Sequence, residues 1–241
     1  MKNVELVLSP ILYPSRVIRQ GHTTVVVDVL RATTSICTAF EAGAAEVVPL
    51  DSLDPLPAYR ERGYMLAAER NAQKVMGAEC GNSPTEYMSM DLRGCRLAYS
   101  TTNGTVGIIK ASADSEQVLA GCFSNLSALV DYLEKDERDL VILCSGWMGS
   151  VSLEDTLFAG RLIERLSGYQ PVNDAAHMAV AAYHEAAADL YSYCQRGTHI
   201  QRLQRMNYDS DIRFAFQEDT CPVVPLLRNG SLINVATKQN H

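Results

Sequence analysis

The stretch Thr23-Thr24-Val25-Val26-Val27-Asp28-Val29-Leu30-Arg31-Ala32-Thr33-Thr34-Ser35 decides the fold class. Its β-branched run lacks polar alternation, which reads as a strand covered on both faces. The run ends in a carboxylate, carries an arginine three positions later, and closes on hydroxyls that open a helical pattern over Thr34–Ala42. The same order of apolar run, small polar turn and helix recurs along the chain. Strand candidates are Val4–Leu8, Thr23–Val29, Glu46–Pro49, Tyr64–Ala68, Arg96–Tyr99, Gln117–Ala120 and Leu140–Cys144. Helix candidates are Thr34–Ala42, Asp54–Glu61, Ser83–Met88, Gly104–Ala111, Asn125–Glu134, Leu153–Leu166, Asp174–Tyr193, His199–Leu203 and Asp209–Phe216. Pro222 and Pro225 bracket a late edge strand or turn, and Gly230–Val235 is a candidate last strand. This alternation predicts an α/β protein, a three-layer α/β/α arrangement with a mixed, largely parallel sheet, in one domain over residues 1–241. Ligands of such sheets bind beyond the carboxyl ends of the strands, so chemistry is expected in the turns.

Composition narrows the partners. A formal net charge of −7 argues against nucleic acid, which needs a basic footprint. It leaves room for a small anionic substrate, because a few arginines or a metal can reverse the field locally. Pro10 interrupts the short apolar start, and no run approaches the roughly 18 apolar residues of a membrane span, so no membrane partner is expected. The seven cysteines are never spaced Cys-x-x-Cys and read as buried free thiols of a reducing cytoplasm. The alanine-rich Asp174–Tyr193 helix is core or interface, so a homodimer is one expectation.

Five polar turns carry candidate chemistry. In the first, Asp28 offers oxygens suited to Mg²⁺, Arg31 can hold an anion bidentately, and Thr33, Thr34 and Ser35 lie at a helix start that favours anions. The plain alternative is a helix cap with an acid–base pair. In the second, Ala67-Ala68-Glu69-Arg70-Asn71, Glu69 is a candidate metal ligand and Arg70 a candidate substrate contact, against an ordinary surface pair. In the third, Gly81-Asn82-Ser83-Pro84-Thr85-Glu86, Ser83, Pro84 and Glu86 form a capping box, which leaves Asn82 for a pocket. The fourth, Tyr99-Ser100-Thr101-Thr102-Asn103-Gly104-Thr105, is dense enough in donors for a phosphate cradle. In the fifth, Cys144-Ser145-Gly146-Trp147-Met148-Gly149-Ser150 precedes Glu154 and Asp155 in the next helix's first turn. There the acids are either a metal-site cluster or simply favoured by the dipole.

Some chemistries are excluded. No cysteine has an arginine six positions on, no Asp-x-Asp-x-Thr or Asp-x-Asp-x-Val occurs, and neither a Gly-x-x-x-x-Gly-Lys loop nor a Gly-x-Ser-x-Gly elbow is present. His177 and His184 share a helix face but stand roughly 10 Å apart along the axis, too far for one metal.

Taken in order, Asp28-Val29-Leu30-Arg31-Ala32-Thr33-Thr34, Glu69-Arg70, Gly81-Asn82-Ser83-Pro84-Thr85-Glu86, Thr101-Thr102-Asn103-Gly104-Thr105, Asn125 after Gly121-Cys122-Phe123-Ser124, and Glu154-Asp155 beside a glycine-rich loop resemble the 2-phosphosulfolactate phosphatase family. Arg196-Gly197-Thr198-His199 and the acidic Asp209–Asp219 stretch extend the resemblance into the tail. It implies an α/β/α fold and a Mg²⁺-dependent phosphatase that hydrolyses 2-phospho-3-sulfolactate to 3-sulfolactate and phosphate, in some organisms on the way to coenzyme M. Asp28, Arg31 and Glu69 are then the catalytic candidates. Mg²⁺ is held by Asp28 with Glu69 or Asp155. Arg31, Thr101, Thr102 and Asn103 bind the phosphoryl group, Arg70 and Asn82 orient the organic anion, and Asn125 joins the binding set. Arg31, Arg70 and Lys74 gather the positive field. Water attacks phosphorus, with Asp28 as a covalent nucleophile the alternative. Two departures bear on substrate: Ala68 stands where a Gly is expected, and Ser145-Gly146-Trp147-Met148 replaces an Ala-Gly pair with smaller neighbours. The competing readings are a phosphatase of another small 2-phospho acid and a non-catalytic anion-binding module.

Overall fold

The computed structural model describes residues 1–236, so residues 237–241 of the expected domain lie outside it. Strands β1 (Lys2–Val7), β2 (His22–Val27), β3 (Glu46–Leu50), β4 (Met65–Arg70), β5 (Gln73–Lys74), β6 (Arg96–Ser100), β7 (Gln117–Gly121), β8 (Asp139–Cys144), β9 (Tyr169–Pro171), β10 (Pro225–Arg228) and β11 (Ser231–Asn234) form one sheet. Their order is β5-β4-β6-β3-β11-β10-β7-β2-β8-β1-β9. Neighbours are parallel in the β4-β6-β3 block and in the β7-β2-β8-β1-β9 block. The sheet is therefore mixed and largely parallel, as expected.

The β2 run is apolar throughout because both its faces are covered. Val25 and Val27 pack, with Leu140, Ile142 and Leu119, under α5 (Leu126–Glu134), α6 (Leu153–Arg165) and α7 (Asp174–Ala186). Val26, with Val141, Leu143, Val118 and Ala120, packs under α1 (Ala32–Glu41), α3 (Pro84–Met88) and α4 (Gly104–Ala111). Helix α2 (Leu56–Glu61) covers the outer face of β3, β4 and β6 through Leu56 and Tyr59. Three layers result. Each fully buried Leu or Phe in them contributes about 1.5–3 kcal/mol.

Three expectations need correction. The expected last strand within Gly230–Val235 is β11, but the strand near Pro222 and Pro225 is not at an edge. Its hairpin sits mid-sheet, with β10 antiparallel to β7 and β11 antiparallel to β3. Asn229 and Gly230, both at positive φ, make the tight turn that an Asn-Gly pair favours. The Asp174–Tyr193 helix breaks into α7 and α8 (Leu190–Cys194), because the Asp189 side chain accepts the Ser192 N–H and caps a new start. Finally, Glu69 and Arg70 are the last residues of β4, not part of the turn that follows it. That turn is Asn71-Ala72, both at positive φ, which leads into β5.

Register positions the site. Val27 pairs with both Gly121 and Cys144, and Ser100 pairs with both Leu50 and Ala68. The turns after β2 and β8 on one side, and after β4 and β6 on the other, end at matched levels. Helices α9 (Thr198–Arg205) and α10 (Asp209–Ala215) complete the described chain around the site.

Candidate active site

These strand ends enclose a cavity of about 400 Å³, lined by Asp28, Arg31, Glu69, Asn71, Asn82, Thr101, Thr102, Asn103, Trp147, His199 and Arg202 with a few apolar neighbours. Asp28 lies on its floor, before the first turn of α1. Its Oδ1 accepts the Ala32 N–H at 3.2 Å, and its backbone exchanges hydrogen bonds with the Thr33 hydroxyl. Burial pushes its carboxyl up to about 6. The Ala32 amide and His199 oppose that rise, while Glu69 and Glu154 add to it. A second helix start meets this floor at Gly104, where a Cβ would strike the Ala32 Cβ and come within 2.8 Å of Asp28 Oδ2. Only a glycine lets α4 approach α1 and the carboxylate this closely.

Glu69 faces the same space because alternation along β4 turns it to the side of Ala67. Its oxygens accept the Ala72 N–H, the Thr102 N–H at 3.4 Å and the Thr102 hydroxyl at 3.3 Å. Thr101 and Thr105 exchange hydrogen bonds that open α4. Asn82 accepts the Tyr99 hydroxyl and stays at the cavity wall. Arg31 is 3% exposed. It donates from Nη1 to Asp211 at 2.7 Å and from Nη2 to the Ala72 carbonyl at 2.8 Å, and its guanidinium lies 3.9 Å over the Tyr208 ring. Asp211 also accepts from Ser83 and Thr85 at 2.7 and 2.6 Å, which ties α10 to α3. Arg31 is thus locked at the wall, with two of its five N–H groups committed.

Asp28, Arg31, Glu69, Asn82, Thr101, Thr102 and Asn103 therefore come together, while four other expected residues do not. Arg70 alternates to the opposite face of β4 from Glu69 and donates to the Glu69 carbonyl at 2.6 Å and to Ser100 at 2.9 Å. Lys74 sits on the outer hairpin, paired with Glu86 at 3.6 Å. Asn125 is fully buried beyond β7. It accepts the Cys122 N–H and donates to the Ala120 and Val223 carbonyls, so it fastens the chain before β10 to the end of β7. Asp155 spends both oxygens on backbone, accepting Val29 N–H at 2.9 Å and Gly146 N–H at 3.1 Å. It staples the turns after β2 and β8 and is not among the residues that line the cavity. Burial, then Glu154 and Asp28, hold its carboxyl well above the usual range.

Sequence reasoning took Trp147 only as part of a departure bearing on substrate, and missed His199 and Arg202 as site residues. His199 Nδ1 lies 2.6 Å from Glu154 Oε1, and its ring stacks on Trp147 at 5.4 Å and 7°. Arg202 follows one turn along α9, its guanidinium 5.7 Å from the Trp147 ring. Arg196-Gly197-Thr198-His199 marked the neighbourhood, but the pairing of His199 with Glu154 spans 45 residues and leaves no local pattern.

A family model described as 2-phosphosulpholactate phosphatase matches residues 8–230, which takes in every residue of this cavity. The chain belongs to this family. A relative from Thermotoga maritima, named probable 2-phosphosulfolactate phosphatase, is 38% identical over 212 residues, covering 88% of this chain and 92% of the relative. A protein of the same name from Caldanaerobacter subterraneus is 36% identical over 86% of this chain and 88% of its own length. One from Thermosynechococcus vestitus is 38% identical over 86% and 89%. The 2-phosphosulfolactate phosphatase family is one of phosphoric monoester hydrolases, in agreement with the expected enzyme class.

Proposed function

We propose that this member hydrolyses 2-phospho-3-sulfolactate to 3-sulfolactate and phosphate with Mg²⁺ as cofactor. The observation that carries the reading is the pair of buried carboxylates, Asp28 and Glu69, lining one cavity together with Arg31, Arg202 and His199. Burial, with the charge of Glu69 adding to it, raises Asp28, so a bound cation would relieve a cost already present. Their oxygens are hard donors. Among the described residues no cluster of three or more His, Cys, Asp or Glu side chains forms an all-protein cage. That suits Mg²⁺, which takes one or two carboxylates and completes its shell with water and substrate phosphate. Asp28 and Glu69 would hold the ion, which supplies charge neutralisation for the phosphoryl oxygens.

The chain's own groups do the rest. The helix starts at α1 and α4 and the donors of Thr101, Thr102 and Asn103 orient the phosphoryl group. Arg31, held by Asp211 and Tyr208, keeps N–H groups for a phosphate or carboxylate. Arg202 gives the far wall a second fixed charge. Such positioning with charge stabilisation is most of what phosphoryl transfer requires. Trp147 and Met148 on the wall support a second reading, a small 2-phospho acid with another substituent at C3.

The proposal extends to a cytoplasmic setting and a small anionic phosphate ester as partner, without nucleic acid or membrane. Seven cysteines free of disulfides and a net charge of −7 support it. Among the described residues no helix is long and apolar enough to cross a membrane. A panel of phosphate esters with and without a sulfonate, assayed with Mg²⁺ and with chelator, tests the function. Fastest Mg²⁺-dependent release from 2-phospho-3-sulfolactate is expected. No release from any ester would refute the enzyme reading, and preference for an ester lacking the sulfonate would favour the second.

A further inference from the structure

We propose that His199 is the general acid of this reaction, donating its Nε2 proton to the departing ester oxygen, with Glu154 as its positioning residue. The proposal rests on the phosphatase reading above. His199 lines the cavity yet is only 8% exposed. Glu154 takes Nδ1 at 2.6 Å, which leaves Nε2 as the ring nitrogen for the cavity. Stacking on Trp147 at 7° fixes the plane of the ring. Glu154 is 1% exposed, and its second oxygen has no hydrogen-bond partner. The imidazole is thus the hydrogen-bond partner of this carboxylate among the described residues, which holds the ring in place.

The chemistry of the leaving group calls for such a donor. The alkoxide of a 2-hydroxy acid is a strong base and departs poorly unless protonated. General acid catalysis at such an oxygen contributes about 10²–10⁴-fold. The other cationic side chains at the wall, Arg31 and Arg202, cannot release a proton near neutrality. The carboxylates Asp28 and Glu69 form the cation side of the site. Among the described residues His199 is the one imidazole in the cavity lining. In the step, the oxygen of a water molecule bonds to phosphorus, that water gives up one proton to solvent, and the phosphorus–ester oxygen bond breaks. The electron pair of the broken bond stays on the ester oxygen. The Nε2–H proton passes to that oxygen, and the N–H electron pair remains on the ring. The product hydroxyl leaves, and the neutral imidazole takes a proton from water. The net change is ester plus water to alcohol plus phosphate.

The test compares 2-phospholactate with 3,3,3-trifluoro-2-phospholactate, which keep the same skeleton and differ in the basicity of the leaving oxygen. Wild type, His199→Gln and Glu154→Gln are assayed on both with Mg²⁺. His199→Gln is expected to lower kcat on 2-phospholactate about 10²–10³-fold and on the fluorinated ester less than about tenfold, with KM little changed. Glu154→Gln is expected to show the same bias at smaller size, which gives a reading even where His199→Gln folds poorly. Equal losses on the two esters would overturn the proposal. Wild type is also run on 2-phospho-3-sulfolactate. No release from it or from either probe would bring down the phosphatase reading, and this proposal with it. Where wild type cleaves only the sulfonate ester, His199→Gln is compared on that ester, a kcat loss under about tenfold overturning the proposal.

Discussion

Asp28 ties the proposed activity to the stability of the protein in one side chain. Its folded-state carboxyl lies near 6, above the ordinary 3.8, because burial disfavours the charge. The folded state therefore binds the proton more tightly than the unfolded state. Above pH 6 the group is ionised in both states and its burial costs up to about 3 kcal/mol. That cost shrinks as pH falls from 6 towards 3.8 and is gone below. Asp28→Asn is thus expected to raise the Tm of the metal-free protein at pH 7.5, with the gain fading by about pH 4, while phosphatase activity disappears. Thermal unfolding against pH in chelator checks this, and a lower Tm for the variant at neutral pH would count against it. Mg²⁺ is expected to stabilise wild type and not the variant. Asn125 behaves in the opposite way. Asn125→Ala removes three buried hydrogen bonds and is expected to cost about 2–4 kcal/mol in urea unfolding with kcat within about twofold of wild type. The pattern of acid, arginine and hydroxyls after β2 was legible in the sequence because its parts are neighbours. The role of Asn125 was not, since one of its partners, Val223, lies 98 residues away.

At the scale of elements, the site depends on how closely α1 and α4 meet. Gly104→Ala inserts a methyl group against Ala32 and Asp28. Overpacking of this kind costs about 1–3 kcal/mol, so Tm is expected to fall by about 2–10 °C, with kcat falling at least about tenfold because the cradle moves off Asp28. A calorimetric scan and steady-state kinetics on one preparation check both. Asp211→Ala unlocks Arg31 and frees α10 from α3. It is expected to raise KM for the phosphate ester about tenfold or more, the size of losing one well-held charged contact. The strand–turn–helix units of this region were readable from periodicity alone. What periodicity of a dipeptide could not say is which member faces inward. Glu69 and Arg70 looked like equal candidates, and alternation on β4, once its last two residues were known to be strand, sends one into the cavity and the other to Ser100.

The whole molecule holds its two parallel blocks together through the last hairpin described. β10 and β11 fill the gap between β3 and β7, and Leu232 there is fully buried. A chain ending at Val224 is expected to lose cooperative unfolding, and Leu232→Asp to do nearly the same, because an unpaired charge would be buried mid-sheet. Circular dichroism and urea titration check this, and a cooperative transition in the shortened chain would argue that the hairpin is an accessory. Two prolines and a short length disguised the first strand of the hairpin as an edge, although Asn229-Gly230 is a turn signal. The convergence of both blocks on one cavity is a property of long-range pairing, which no local pattern encodes. On the proposed reading, this convergence makes a phosphatase around Asp28. The most direct test of that reading is phosphate release from 2-phospho-3-sulfolactate by wild type and Asp28→Asn, with Mg²⁺ and with chelator. Release by wild type only with Mg²⁺, and a loss of at least about 10³-fold in the variant, is the predicted result. Full activity in Asp28→Asn would contradict it.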